Sequence, residues 1–203
     1  DMRAVGEVQS LETRRTWRDR LGVGESSVVL FTGGRLEPRK RTEVLLESLL
    51  EPGMEDSVVV VVGDVAPGHS DYFKELQRVA ANSGRVRFLG WLSPQQVLQV
   101  MWASDLAVFP SSQSVMWQKA VGVGLPMVVG ATEWQDPQYM NRGNIRILRG
   151  KDISPEGFAA HCGLLIRDRE IRRDMSSHAT AVGREFLDTE VVGQRLVNLL
   201  KSR

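Results

Sequence analysis

The sequence predicts an α/β fold: a doubly wound parallel sheet of about six strands, with helices on both faces and a helical C-terminal tail. Three observations carry this. Short β-branched runs alternate with segments of helical periodicity, the pattern of strands joined by crossover helices. One run, SVVVVVGDV from Ser57, is almost unbroken in apolar residues, as a strand buried on both faces must be. Beyond Gly150 such runs cease and helical periodicity takes over.

Taken in order, residues 1–23 are polar and read as a linker with an incoming helix, leaving 24–203 as one domain. Strands are expected at 28–32, 57–63, 86–89, 105–109, 127–130 and 145–148. Helices are expected at 41–50, 71–82, 94–103 and 115–123. The helix at 94 has the clearest start: Ser93 can cap it, Pro94 suits its first position and Gln96 occupies the capping-box position. In the tail, SPEGFAAHCGLLIRD opens on a helix-start signal, REIRRDMSSHATAVGREFL is densely charged, and TEVVGQRLVNLLKSR is amphipathic. The charged face of the middle segment reads as a solvated helix surface. Trp102, Met116 and Trp117 fall at helical spacings that indicate core packing.

Composition narrows the function classes. With 42% hydrophobic and 25% charged residues, the chain is an ordinary globular one and not a disordered tail. Its 26 basic residues nearly balance 25 acidic ones, which argues against a nucleic-acid partner while leaving room for a local basic site. Cys162 is the single cysteine, so an internal disulfide and a multi-cysteine metal centre are both excluded, and a reducing, cytoplasmic compartment fits. His69, His161 and His178 have no metal-like spacing with one another or with Cys162. The apolar runs are too short to span a bilayer. The polar opening, without a signal-peptide pattern or a leading methionine, suggests a piece of a longer protein.

In open α/β sheets, ligands bind outside the carboxyl ends of the strands, near a switch in strand order. The sharpest motif there is GGRLEPRKR, residues 33–41. Gly33 and Gly34 permit a tight turn with exposed N–H groups, Arg35 can fork onto phosphate oxygens, and Lys40 supplies a point charge at the start of a helix. A solvated basic turn is the plainer reading of these residues taken alone. Arg39 and Arg41 are expected to face water. The second motif, FPSSQSVMWQKAVGVGLPMVVG, turns from a strand into a helix. There Ser111, Ser112, Gln113 and Ser114 serve either as helix caps or as contacts to a diphosphate.

The order VVLFTGGRLEPRKRTEVLLESL, VVVVVGD, VRFLGWLSPQQVLQVMWASDLAVFPSS and KAVGVGLPMVV closely resembles the C-terminal, donor-binding half of GT-B glycosyltransferases, specifically glycosyltransferase family 4. The likeness covers 24–130 clearly and the helical tail more loosely. It implies a Rossmann-like domain that binds a nucleotide-sugar, in an enzyme that retains anomeric configuration and holds its acceptor on a missing N-terminal domain. It also implies a role in cell-surface polysaccharide or lipopolysaccharide biosynthesis, and peripheral association of the full-length protein with the inner face of the membrane. No cofactor or metal is implied. Arg35 and Lys40 match the catalytic cations that neutralise the donor diphosphate. Gly63 and Asp64 match the turn after the second strand, and the glycine is expected to allow close approach of backbone and ligand. Leu89, Gly90 and Trp91 match the turn lining the nucleoside base, where Trp91 either stacks or packs.

One departure from the family stands out. Lys119 occupies the place of the second of two glutamates, the one that holds the ribose hydroxyls, and Ser111 the place of the first. Lysine has only donors, so it cannot accept both hydroxyl protons, and the adjacent Gln118 can accept one from a different direction. The alternative is therefore a degenerate, non-catalytic sugar-nucleotide or anion-binding regulatory domain. Glu133, in the TEWQDPQYMNRGN loop, is a weaker candidate for approaching the donor.

Overall fold

The computed structural model describes the backbone of residues 2–111 and 115–201. At its centre is a parallel sheet formed by β1 (Val28–Gly33), β2 (Ser57–Val62), β3 (Val86–Phe88), β4 (Leu106–Phe109), β5 (Met127–Gly130) and β6 (Ile145–Leu148). Their spatial order is β3-β2-β1-β4-β5-β6. Parallel neighbours cannot be joined by a hairpin, so each strand needs a crossover. These are α3 (Thr42–Ser48), α4 (Ser70–Ser83), α5 (Pro94–Ala103) and α6 (Val115–Val123), with a short 3-10 turn at Pro137–Met140 between β5 and β6. Two helices precede the sheet, α1 (Met2–Val8) and α2 (Leu11–Leu21), and three follow it, α7 (Pro155–Arg167), α8 (Arg169–Phe186) and α9 (Thr189–Lys201).

The period of two in a strand divides the core into two layers. Val29, Phe31, Val60, Val62, Ala107 and Phe109 face one cluster, with apolar residues of α1, α2, α5 and α6. Val28, Leu30, Val59, Val61, Leu106 and Val108 face the other, with residues of α3, α4 and α7. Both faces are covered, which is why β1 and β2 read as continuous apolar runs. Each fully buried side chain of this size contributes roughly 1.5–3 kcal/mol relative to exposure.

α5 begins as its sequence dictates. Gln96 N–H donates to Ser93 Oγ at 3.2 Å, and Ser93 N–H donates to Gln96 Oε1 at 3.0 Å, closing the capping box. Trp117 is fully buried, and Trp102 is partly buried with its indole N–H donating to the Ser10 carbonyl.

The amino-terminal segment, expected as a linker with an incoming helix, forms two helices that pack against the sheet. Val5, Val8, Trp17 and Leu21 are buried in the α1/α2 side of the core. They sit three or four residues apart within their helices, so a mostly polar segment still presents one apolar face. Arg18 is buried as well, and its charge is met by Asp105 at 3.1 Å and by the carbonyls of Gly24 and Ser27, both at 2.6 Å. No helix among the described residues is long and apolar enough to cross a membrane.

The chain winds from β1 outward to β3, then returns to place β4 on the other side of β1. The switch in strand order therefore falls between the carboxyl ends of β1 and β4, where a crevice must open.

Candidate functional site

The turns after β1, β2 and β3 are stitched together by backbone bonds. Gly34 N–H donates to the Val62 carbonyl at 2.9 Å, Gly63 N–H to Gly90 at 2.8 Å, and Leu36 N–H to Asp64 at 2.9 Å. Gly63 has a φ of 129°, and a Cβ there would lie 1.9 Å from the Gly34 carbonyl oxygen. This glycine thus serves the close approach of two backbone turns, where the sequence suggested approach of backbone and ligand. Gly33, Gly34, Gly63, Asp64, Leu89 and Gly90 thus lie along one hydrogen-bonded carboxyl edge. The Asp64 carboxylate accepts from the Val65 N–H and is exposed. Trp91 is 78% exposed, so it does not pack in the core and its indole face is available for stacking.

In the crevice between β1 and β4, the lining comes from Thr32, Gly33, Arg35, Lys40, Thr42 and Ser111, with Leu36, Phe109 and Pro110. Residues 78 positions apart in sequence, Gly33 and Ser111, thus share one small concavity. Arg35 is exposed and has no side-chain hydrogen bond or ion pair among the described residues. Lys40 is half-buried; desolvation lowers its pKa from the ordinary lysine value, Arg39 adds to the shift and Glu37 opposes it. An ammonium held at such a cost gains from an anionic neighbour. Ser112, Gln113 and Ser114 lie outside the described residues.

Two local expectations need correction. Lys40 does not begin a helix; it closes a 3-10 turn at Pro38–Lys40, and α3 starts only at Thr42. The break is Arg41, which takes a left-handed conformation with φ 53°. The Thr42 N–H is already engaged by the Tyr72 hydroxyl at 3.1 Å, and that hydroxyl donates to Glu43 at 2.5 Å, so the start of α3 is satisfied internally. Burial and the Glu43 carboxylate both push the Tyr72 phenol far above its usual pKa. Arg41 does not face water either: its Nη2 donates to the Ile153 carbonyl at 3.1 Å, tying the basic loop to the chain beyond β6. Arg39 is solvent-facing, with Nε paired to Glu37 at 2.7 Å.

Gln118 and Lys119 are not among the residues lining this crevice. Trp117, Ala120 and Val121 take the buried side of α6. At about 100° per residue, Gln118 and Lys119 therefore turn to a separate hollow of about 320 Å³, lined also by Ala4, Val5, Pro94 and Leu98. Glu133 sits in a loop closed by the Thr132 and Gln135 backbones, exposed at the end of β5. Cys162 is buried in the core, and burial pushes its thiol up to about 12. No group of three metal-ligating side chains occurs among the described residues. Thr32, Thr42 and Pro110 join the site without having been singled out in the sequence. Only the strand order could have pointed to them.

A doubly wound parallel sheet with a basic crevice at its switch point defines a Rossmann-like domain of the kind that binds phosphate-bearing ligands at strand ends. The chain belongs to the family described as glycosyl transferases group 1, whose pattern matches residues 26–168. It is 24% identical over 94% of its length to a GDP-mannose-dependent monoacylated alpha-(1-6)-phosphatidylinositol monomannoside mannosyltransferase of Corynebacterium glutamicum, covering 51% of that protein. It is 29% identical over 78% of its length to a D-inositol 3-phosphate glycosyltransferase of Geodermatophilus obscurus, covering 37% of it. The chain thus spans about half or less of these curated relatives. Among solved structures, HepE of Anabaena in complex with UDP and glucose superposes with a TM-score of 0.80 at 24% identity, over 97% of this chain and 54% of that one. The C-terminal domain of LpcC, a group 1 glycosyl transferase of Francisella tularensis, gives 0.73 at 18% identity, over 89% of this chain and 95% of that domain. The fold is the Rossmann-like one of GT-B glycosyltransferases.

Proposed function

We propose that this chain binds the diphosphate of a nucleotide-sugar, as the donor half of a retaining glycosyltransferase of family 4. The observation carrying this is the convergence of Arg35 and Lys40 with Ser111 in the crevice between β1 and β4. As the bond from sugar to diphosphate breaks, negative charge builds on the leaving nucleotide. Cations held in place beforehand stabilise that charge without further reorganisation. Trp91, exposed beyond the Leu89–Gly90 turn, is placed to stack on the nucleoside base. Acceptor recognition belongs to a second domain, so the 203-residue chain alone is expected to transfer no sugar. The relatives named above support either UDP or GDP as the nucleotide. In the full-length protein the reaction would serve cell-surface polysaccharide or lipopolysaccharide synthesis, at the cytoplasmic face of the membrane.

Isothermal titration with UDP and with GDP tests this reading. Binding of one of them, weakened at least about tenfold by Arg35→Ala or Lys40→Ala, supports it. No heat at millimolar nucleotide with either would refute it for this chain. A second reading, a non-catalytic sugar-nucleotide or anion-binding regulatory domain, is favoured by one observation: a lysine stands at 119 and lines a hollow apart from the crevice. Transfer activity of the full-length protein, present or absent once nucleotide binding is established, separates the two.

A further inference from the structure

The opposite edge of the sheet carries a second basic concavity. Ser104 and Asp105 lead into β4 and Pro126 leads into β5, so this cleft lies at the amino ends of strands whose carboxyl ends form the donor crevice. Its volume is about 430 Å³. Arg14 of α2 enters from one side, and Arg169, Arg172 and Arg173 of α8 from the other. The three on α8 are spaced i, i+3 and i+4, so they share one helix face. Among the cleft-lining residues Asp105 is the only carboxylate.

That carboxylate is already committed. It is paired with Arg14 at 2.5 Å and with Arg18 at 3.1 Å, and it accepts from the Val29 N–H at 2.8 Å. Arg14 also donates to the carbonyls of Trp102 and Ser104, both at 3.0 Å. Arg172 donates through Nη1 to the carbonyls of Leu165 and Ile166. Arg173 has only a long contact to Glu170, at 3.6 Å between two largely exposed side chains. Arg169 has no side-chain hydrogen bond or ion pair among the described residues. A solvated arginine face, the plain reading of this helix, lets side chains spread away from one another. Here arginines from two distant segments line one concave surface whose acid is spent.

We propose that this cleft is a second anion site, distinct from the donor crevice, which takes a phosphate or diphosphate group through Arg169 and Arg173, with Arg14 and Arg172 supplying charge from behind. Guanidinium forks match phosphate oxygens in a bidentate geometry, and a dianion relieves the repulsion among the four arginines. Arg172 lies within that repulsion. Burial holds its pKa below the usual arginine value, Arg169 and Arg14 push the same way, and Asp105 and Asp168 oppose them. The inference does not rest on the donor reading, because the two sites share no residue.

The phosphate has two sources, a free phosphate-bearing solute or the headgroup of an anionic lipid, and the test separates them. Inorganic pyrophosphate is titrated into the chain carrying Arg35→Ala and Lys40→Ala, which silences the donor crevice. The same protein is sedimented with vesicles of phosphatidylglycerol and of phosphatidylcholine. Pyrophosphate binding that survives the two donor-site changes and weakens about tenfold or more on adding Arg169→Ala and Arg173→Ala supports a solute site. Sedimentation with phosphatidylglycerol alone, abolished by the same two changes, assigns the phosphate to lipid. Arg169 and Arg173 are exposed, so thermal melting of the variants is expected to match the parent. Absence of both kinds of binding, or binding indifferent to Arg169→Ala and Arg173→Ala, overturns the proposal.

Discussion

The two ends of β1 carry the same kind of side chain in opposite conditions. At the amino end, Arg14 and Arg18 spend their guanidinium groups on Asp105 and on four nearby backbone carbonyls besides that of Ala103. At the carboxyl end, Arg35 is exposed without a side-chain hydrogen bond or ion pair among the described residues. The fate of a cation's hydrogen bonds decides its role near a strand end. When its hydrogen bonds are consumed inside the fold it is part of the scaffold, and when they are not it is ready for a ligand. Arg169 belongs with Arg35 by this measure, and Arg41, tied to Ile153, belongs with the scaffold.

This contrast is broken most forcefully at Asp105. Replacing it with alanine leaves Arg18 buried without its counter-charge, and urea denaturation is expected to show a loss of about 3–5 kcal/mol. Nucleotide affinity of the folded fraction should change little, because Asp105 lies at the far end of the strands. Gly63→Ala comes next. It forces a side chain into a left-handed turn and against the Gly34 carbonyl, so thermal or urea unfolding should register a loss of about 2 kcal/mol. Nucleotide binding should weaken with it, since the turns after β1 and β2 move together. Arg35→Ala is the reverse of Asp105→Ala: calorimetry should show nucleotide affinity reduced about tenfold to a hundredfold, with the melting temperature unchanged.

The smallest effect concerns pH. Diphosphate binding favours the charged form of Lys40, whose pKa in the free fold lies below the ordinary 10.5. Nucleotide affinity should therefore decline as pH rises through that lowered value, before an ordinary lysine would titrate. Stability of the ligand-free chain should move the other way, rising between the lowered pKa and 10.5 as the disfavoured charge is removed. Lys40→Met should flatten both profiles in paired titrations.

Much of the scaffold was legible in the sequence, for reasons visible in particular elements. β5 and β6 match their expected bounds because short β-branched runs between turn residues leave little freedom, and α5 does so because Ser93, Pro94 and Gln96 mark its first turn. The packing of α1 and α2, read as a linker with an incoming helix, was not legible because a few spaced apolar residues anchor a largely polar segment. The left-handed turn at Arg41 was not legible, since arginine carries no signal for positive φ, and the helix expected from residue 41 begins instead at Thr42. For the site, the turn chemistry and the resemblance point to Gly33, Arg35, Lys40 and Ser111, which line the crevice together. Their meeting depends on β4 returning beside β1, which strand order alone decides. The departure of Gln118 and Lys119 from that crevice is a matter of helix phase, fixed by the burial of Trp117 and Ala120.

If the crevice between β1 and β4 receives the donor diphosphate, the bound nucleotide must be seated there. A crystal structure of the chain soaked with the nucleotide that binds in calorimetry tests it most directly. Diphosphate oxygens are expected within hydrogen-bonding distance of the Arg35 guanidinium and the Lys40 ammonium, beside Gly33 and Ser111. A diphosphate seated elsewhere, in the hollow of Gln118 and Lys119 or among the arginines of α8, with the crevice unchanged, would contradict it.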